Sequence, residues 1–311
     1  MLRRIADSLF WAARFLERAE WRARLVDVNY RLLVEGPMRA SDPWTPLLEI
    51  AGDEEPFLEL HGEPDEAKVV DFFVLDLKNP SSIRSCIAQA RENARTLRHT
   101  ISSELWVDLN TLYLETQRWS LRDLEAESLL SFFAELRERF YRLTGVAYGT
   151  LPRDMGYDFL SLGTMLERAD NVARLVDVKY HILLPRVDDV GGPIDLLQWA
   201  AVLRSASGLE AYRKAHGNAI RVDRVLGLLL FDPTFPRSAR FCVERARRAL
   251  GRIGEGGPPE PLAATDWLAA RLREGSAEEA IAAGLHEFLD QVQTECDGIS
   301  SAIFGAYLRF E

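Results

Sequence analysis

Two sets of charged residues have a spacing that suits acid–base or anion-binding chemistry. One is Glu17, Glu20, Arg24, Asp27 and Arg31; the other is Glu167, Asp170, Arg174, Asp177 and His181. Steps of three and four residues bring such side chains onto one stripe of a helix, at ~100° per residue. A carboxylate on that stripe can serve as a general acid or base once burial raises its pKa, while a guanidinium holds an anionic substrate through forked hydrogen bonds. The same spacing also builds a salt-bridge ladder that only ties helices together. From the residues alone both readings stay open.

The two sets belong to one repeated stretch. LERAEWRARLVDVNY at 16–30 returns as LERADNVARLVDVKY at 166–180, with eleven of fifteen positions identical at an offset of 150. Leu9, Ala12, Leu16, Ala19, Ala23, Val26, Tyr30 and Leu33 form an apolar seam, as do Phe159, Leu162, Leu166, Ala169, Ala173, Val176, Tyr180 and Leu183. Such a period predicts a long amphipathic helix in each case. A second apolar row, Trp21, Leu25, Val28 and Leu32, with Leu175, Val178 and Ile182 in the later copy, flanks the charged stripe on its other side. The stripes are therefore expected to be buried, with Arg18, Arg22 and Asn29 on the hydrated side. Buried charges must be paired. Glu17 is expected to meet Arg24 or Arg95, and Glu167 to meet Arg174, beside a polar pocket lined by Glu17, Glu20, Arg24, Glu92 and Arg95.

Further matches extend the repeat. Asp76, Pro80, Ser82, Arg84, Cys86, Ala90 and Arg91 return at an offset of 156, and His61-Gly62 at 155. The expected fold is all-α, a helical bundle of two tandem pseudo-symmetric copies of about 150 residues, 1–150 and 151–311, packed as one body. In order, helices are expected over 7–34, 47–50, 57–61 and 65–75. A long helix follows from 83 toward 116, capped by Asn79-Pro80-Ser81-Ser82, and another covers 121–145. In the second copy the helix matching 83–116 is expected to be cut short by GEGGPP. Leu228 to Phe231 could pass for a strand, but its counterpart sits at a helix end.

Bulk properties exclude several classes. With 38 Lys and Arg against 48 Asp and Glu, the net charge of −10 disfavours non-specific nucleic-acid or anionic-membrane binding. No apolar run is long enough to be a spanning helix, and charges interrupt the apolar patch at the start too early for a signal peptide. The three cysteines make no CxxC, and the histidines at 61, 99, 181, 216 and 286 are scattered. Neither a di-metal Glu-x-x-His set nor a nucleotide motif is present, so no metal or cofactor is expected, and a reduced cytosol is the expected setting. Arg84, Arg91, Arg95 and Arg98 climb one helix and could hold carboxylates or phosphates.

MLRRIADSLFW followed by LERAE, the central RENAR with ISSELW, and GYDFLSLGTMLERAD at the midpoint together resemble the bacterial alpha-E proteins from end to end. That resemblance implies an all-helical domain whose members are encoded beside, or fused to, a circularly permuted ATP-grasp ligase-like protein and a transglutaminase-like protein. It implies peptide or amide-bond metabolism as the setting. The motif glutamates would be Glu17 and Glu167, with Arg18, Arg24, Arg168 and Arg174 beside them. At Trp21-Arg22 the first copy departs from the pattern that Asn171-Val172 keeps. The candidate ligand-binding set is thus Glu17, Arg18, Glu20, Arg24, Asp27, Glu92, Asn93, Arg95, Glu167, Arg168, Asp170, Arg174 and Asp177. The leading functional expectation is an accessory or substrate-binding subunit of an ATP-grasp amide-ligase system. One alternative is an enzyme acting on a small amino-acid or peptide substrate through Glu17 or Glu167; another is a purely structural scaffold.

Overall fold

The computed structural model describes residues 3–35, 44–126, 129–182, 192–254 and 259–308. Every regular element among them is helical. The chain divides into two compact units, Met1–Thr164 and Met165–Glu311. Gly36-Pro37, the loop at 37–43, residues 255–258 and Leu183 fall outside the described residues, as do the side chains of Tyr180, His181 and Ile182.

The first unit is built on α1 (Arg3–Glu35). Around it come α2 (Thr45–Ala51), α3 (Glu54–His61), α4 (Glu66–Val74), α5 (Ile83–Arg95), α6 (Ser103–Thr116), α7 (Leu121–Ala126) and α8 (Leu129–Thr150). The helix α9 (Met155–Ile182) begins in this unit and continues into the second, since the division falls after Thr164. α5 lies along α1 most extensively, with α8, α4 and α2 on other sides. Enclosure from several directions buries α1 all round from Ala19 to Val28. Arg22, expected on the hydrated side, is buried for that reason. Its Nη1 donates to Asp53 and its guanidinium lies 5.2 Å from the Phe73 ring centroid.

The expected long helix from Ile83 is in fact two helices. The Thr96 hydroxyl turns back to the Asn93 carbonyl at 2.9 Å, and Ser102 Oγ accepts the Leu105 N–H at 3.2 Å, opening α6. Short hydroxylated side chains compete with the helical ladder in this way, and here the competition ends one helix and caps the next. The helix expected over 121–145 is described as α7 and α8, on either side of residues 127–128, which lie outside the described residues.

The second unit holds the rest of α9 with α10 (Pro193–Ser205), α11 (Leu209–His216), α12 (Val222–Leu226), α13 (Ala239–Ile253), α14 (Glu260–Glu274), α15 (Ala277–Ala283) and α16 (Leu285–Ile303). π-helical turns follow α12, at Gly227–Phe231, and α16, at Phe304–Leu308. The strand-like run at 228–231 is therefore helical, and all four residues are buried. α13 packs on α14, α14 on α16, and α15 on both α16 and α12. α13 does stop at Gly254, where the GEGGPP run begins, but it is not the shorter of the two: it has 15 residues and α5 has 13, because α5 already ends before Thr96.

Helix starts follow local chemistry in both units. Ser82 and Ser238 accept the N–H of Ser85 and Phe241, and Ser276 with Glu279 forms a complete capping box. Cys86 and Cys242 are buried, each facing a carbonyl of the preceding Pro-Ser or Pro turn. Gly145 lies inside α8 with no atom within 4 Å of an added Cβ. Gly145→Ala should therefore raise stability by about 0.5–1 kcal/mol by restricting the unfolded chain. A urea midpoint that falls in this variant would contradict that reading.

Candidate functional site

Each stripe has buried charged residues within its own unit, Glu17, Glu20, Arg24 and Asp27 of α1 in the first and Glu167 and Asp170 in the second. Arg24 donates from Nε and Nη2 to Glu20 Oε1, at 3.1 and 2.6 Å. From Nη2 it also donates to the Tyr141 hydroxyl of α8 at 3.0 Å. Burial pushes the Arg24 guanidinium down. The Glu20 carboxylate and the Tyr141 hydroxyl more than offset this, leaving it above its ordinary value. Asp27 accepts from Arg31 at 2.9 Å and from Arg137 of α8 at 3.0 Å. The expected Glu17–Arg24 contact is replaced by Glu20–Arg24, because four residues make one turn while seven make two. Arg18 is half-buried, 5.9 Å from the Phe15 ring centroid.

The residues of RENAR do not join this stripe. Glu92 and Arg95 are exposed and pair with each other at 2.9 Å through Arg95 Nε. Asn93 Nδ2 donates to the Gln89 carbonyl one turn back. On α5 the inward positions are Ala90 and Ala94, so residues 92 and 95 fall on the outer face. The pocket expected to combine them with Glu17, Glu20 and Arg24 is not formed by these side chains. Nor do the climbing arginines hold a common anion site. Arg91 lies 5.3 and 5.0 Å from the Trp106 and Tyr113 ring centroids of α6, and Arg98 lies 4.5 Å from Trp106. These are cation–π contacts that hold α5 and the turn after it to α6.

The second stripe carries Asp170 where the first has Glu20 and His181 where it has Arg31, and it keeps different company. Glu167 is buried, and Arg168 donates to the Pro236 carbonyl at 3.3 Å. Arg174 Nε donates to Asp170 Oδ2 at 2.8 Å, again one turn back rather than to Glu167. Asp170 is 9% exposed, and its Oδ1 is buried with no hydrogen-bond partner. Burial raises the Asp170 carboxyl, Arg174 pulls it down, and Glu167 and Asp297 raise it again, for a net rise. Arg174 stays above its ordinary value because Asp170, Asp297 and Glu167 outweigh its desolvation. Asp177 accepts from His286 Nδ1 at 2.8 Å and Gln293 Nε2 at 3.4 Å, both on α16. Its carboxylate holds the exposed His286 above the ordinary histidine range.

Sequence reasoning missed a further group. Lys179 is 0% exposed and donates to Asp195 Oδ1 at 3.0 Å and Gln198 Oε1 at 2.8 Å. Its Nζ also lies 5.1 Å from the Trp199 ring centroid. Burial drives this lysine below its ordinary value, with Asp195 acting the other way. The signal available was a polar pair three residues apart, Asp195 and Gln198, inside the otherwise apolar PIDLLQWAAVL. Tyr141, Arg137 and Asp297 were missed because only the folded chain brings α8 and α16 to the stripes. Among the described residues no group of His, Cys, Asp and Glu could hold a metal ion, and no helix is long and apolar enough to cross a membrane.

Comparison with known proteins places the chain. It is 25% identical over 296 residues to uncharacterized proteins of Mycobacterium bovis and Mycobacterium tuberculosis. Each match covers 89% of this chain and 33% of the relative, so the chain spans about a third of the length of the curated relatives it matches. No solved structure gives a significant match. The Alpha-E family model, described as a predicted alpha-helical domain with a conserved ER motif, matches residues 1–308. Glu-Arg dipeptides stand at Glu17-Arg18, Glu138-Arg139, Glu167-Arg168 and Glu244-Arg245. With nearly its whole length matched, the chain belongs to the Alpha-E family.

Proposed function

We propose that this chain is a substrate-handling helical subunit of an amide-bond-forming system, working beside an ATP-grasp ligase-like protein and a transglutaminase-like protein. The observation that carries the reading is the pair of buried stripes. Charges inside a helical body are costly, and apolar residues of similar size would hold helices together as well or better. The Asp170–Arg174 end of the second stripe is incompletely neutralised and partly exposed, which a pure scaffold has no use for. Arg24 and Arg174 are tied to carboxylates one turn back, which favours binding over general acid–base work by this set. The match to one third of longer relatives supports a module that acts together with other chain segments.

The two units are read here as products of one internal duplication. Support comes from the repeated ER stretch, the Ser82 and Ser238 caps, and the left-handed Gly62 and Gly217 that follow His61 and His216. The subunit reading is tested by immobilising the full chain and passing over it a purified ATP-grasp ligase-like protein of the proposed kind. Retention of that protein, and a several-fold change in its turnover when this chain is added, are expected. Neither retention nor any change in turnover would overturn the proposal.

A further inference from the structure

The two stripes match at Glu17, Arg24 and Asp27 against Glu167, Arg174 and Asp177, differ at Glu20 against Asp170, and are closed differently. On α8 the first stripe meets Tyr141 and Arg137. At an offset of 156, the one that relates Tyr148-Gly149 to Phe304-Gly305, the corresponding residues of α16 are Asp297 and Gln293. In the first unit Arg24 therefore serves one carboxylate, Glu20, and one neutral phenol, Tyr141. In the second, Arg174 sits among carboxylates: Asp170, which it bonds, and Asp297, which acts on it by charge alone. One guanidinium between these two carboxylates leaves an excess of negative charge. Access differs as well. The Arg24 side chain is 6% exposed and that of Arg174 is 34%, while Asp297 is exposed at the rim.

One atom shows what is missing. Asp170 Oδ1 is buried and accepts no hydrogen bond, although its carboxyl group lies beside a guanidinium that bonds only Oδ2. A buried acceptor left unsatisfied is expensive, and the expense is removed by a donor. A donor that also carries positive charge would offset the carboxylate excess. The raised Asp170 carboxyl has the same origin, since a proton supplies both things when nothing else does. A primary ammonium fits better than a guanidinium. It is compact, it carries three donors, and it need not find two acceptors in one plane, whereas Asp170 offers a single free oxygen. We infer that the second unit's stripe, at Asp170 and Asp297 beside Arg174, binds the primary ammonium group of an amine substrate, and that the first unit's stripe, filled by Tyr141 and Arg137, does not. The inference rests on the reading of the chain as a substrate-handling subunit. It assigns the amine-bearing reactant of amide-bond formation to one of the two stripes.

The test is calorimetric titration of the full chain at neutral pH and low salt with glycinamide, a small primary ammonium, and with N-acetylglycinamide, which lacks the charge. Saturable binding of glycinamide at a single site is expected, with none for the acetylated compound. Asp170→Asn and Asp297→Asn should each weaken glycinamide binding by roughly tenfold or more, the scale of a lost charge-assisted hydrogen bond or a lost opposing charge. Asp297 is exposed, so its variant keeps the test decisive even if Asp170→Asn fails to fold. The inference is overturned by no saturable binding, by equal binding of the acetylated compound, by unchanged affinity in a folded Asp297→Asn, or by two equivalent sites per chain. Retention by the ligase-like protein without glycinamide binding would overturn this inference alone. Glycinamide binding without retention would overturn only the subunit reading.

Discussion

Replacing Lys179 with methionine should cost the fold about 3–5 kcal/mol, the usual price of removing one partner from a buried ion pair. Against a total stability of about 5–15 kcal/mol this is a large share. Methionine matches the length of the lysine stem, so the loss reports the charge. Asp195, 2% exposed, would keep its carboxylate without the ammonium that faces it, and Gln198 would lose its donor. The double variant Lys179→Met with Asp195→Leu should recover most of the loss, because the buried carboxylate goes too. The wild type carries a pH signature as well. Burial depresses the folded lysine, so the unfolded chain binds this proton more tightly. Stability should therefore rise as pH climbs from the depressed folded value toward the ordinary lysine value, and the methionine variant should lack that rise. Urea unfolding across alkaline pH measures both effects; a single variant as stable as wild type would show that the pair contributes nothing.

Gly163→Ala should be the second severe lesion. A Cβ there would stand 2.3 Å from the Phe10 carbonyl oxygen, 3.1 Å from its carbon and 3.2 Å from Ala13 Cβ. Two of those three atoms are backbone, so no rotamer change relieves the clash; α9 and α1 must move apart. Overpacking of this kind costs about 1–3 kcal/mol and occasionally more, enough to outweigh the ~1 kcal/mol by which alanine favours a helix over glycine. Gly145→Ala makes the same chemical change in open space and is expected to act in the opposite direction. A thermal midpoint for Gly163→Ala at or above wild type would mean that the start of α9 does not approach α1 through this glycine.

How far the fold could be read in advance depended on whether a signal was local. The period of α1, the Ser82 cap of α5 and the glycine after His61 were legible because each acts within a few residues. Burial of Glu17, Glu20, Arg24 and Asp27 was legible too, since apolar rows flank that stripe on both sides. The break between α5 and α6 was missed because an unbroken apolar seam outweighed two hydroxylated residues. Arg22 was misplaced since a helix enclosed by several neighbours has no hydrated side over its middle turns, and the seam of one helix cannot reveal how many others surround it. Partner choice was equally hidden. Tyr141 and Asp297 lie more than a hundred residues from the arginines they face. Within a helix, however, one rule would have corrected the expected pairs: a partner four residues away is preferred to one seven away.

Tyr212 joins loop length to side-chain chemistry. Between α3 and α4 the connection is residues 62–65; between α11 and α12 it is 217–221, one residue longer. Phe57 is buried over the shorter connection, and Tyr212, its counterpart at an offset of 155, over the longer. The tyrosine hydroxyl donates to the Ala219 carbonyl at 3.0 Å and accepts the Arg221 N–H at 2.9 Å. A single oxygen thus closes the hydrogen-bond account of a backbone stretch that an extra residue lengthened. Length and hydroxyl are therefore tied together: a phenylalanine at 212 would leave the Ala219 carbonyl and the Arg221 N–H of the five-residue connection without this partner.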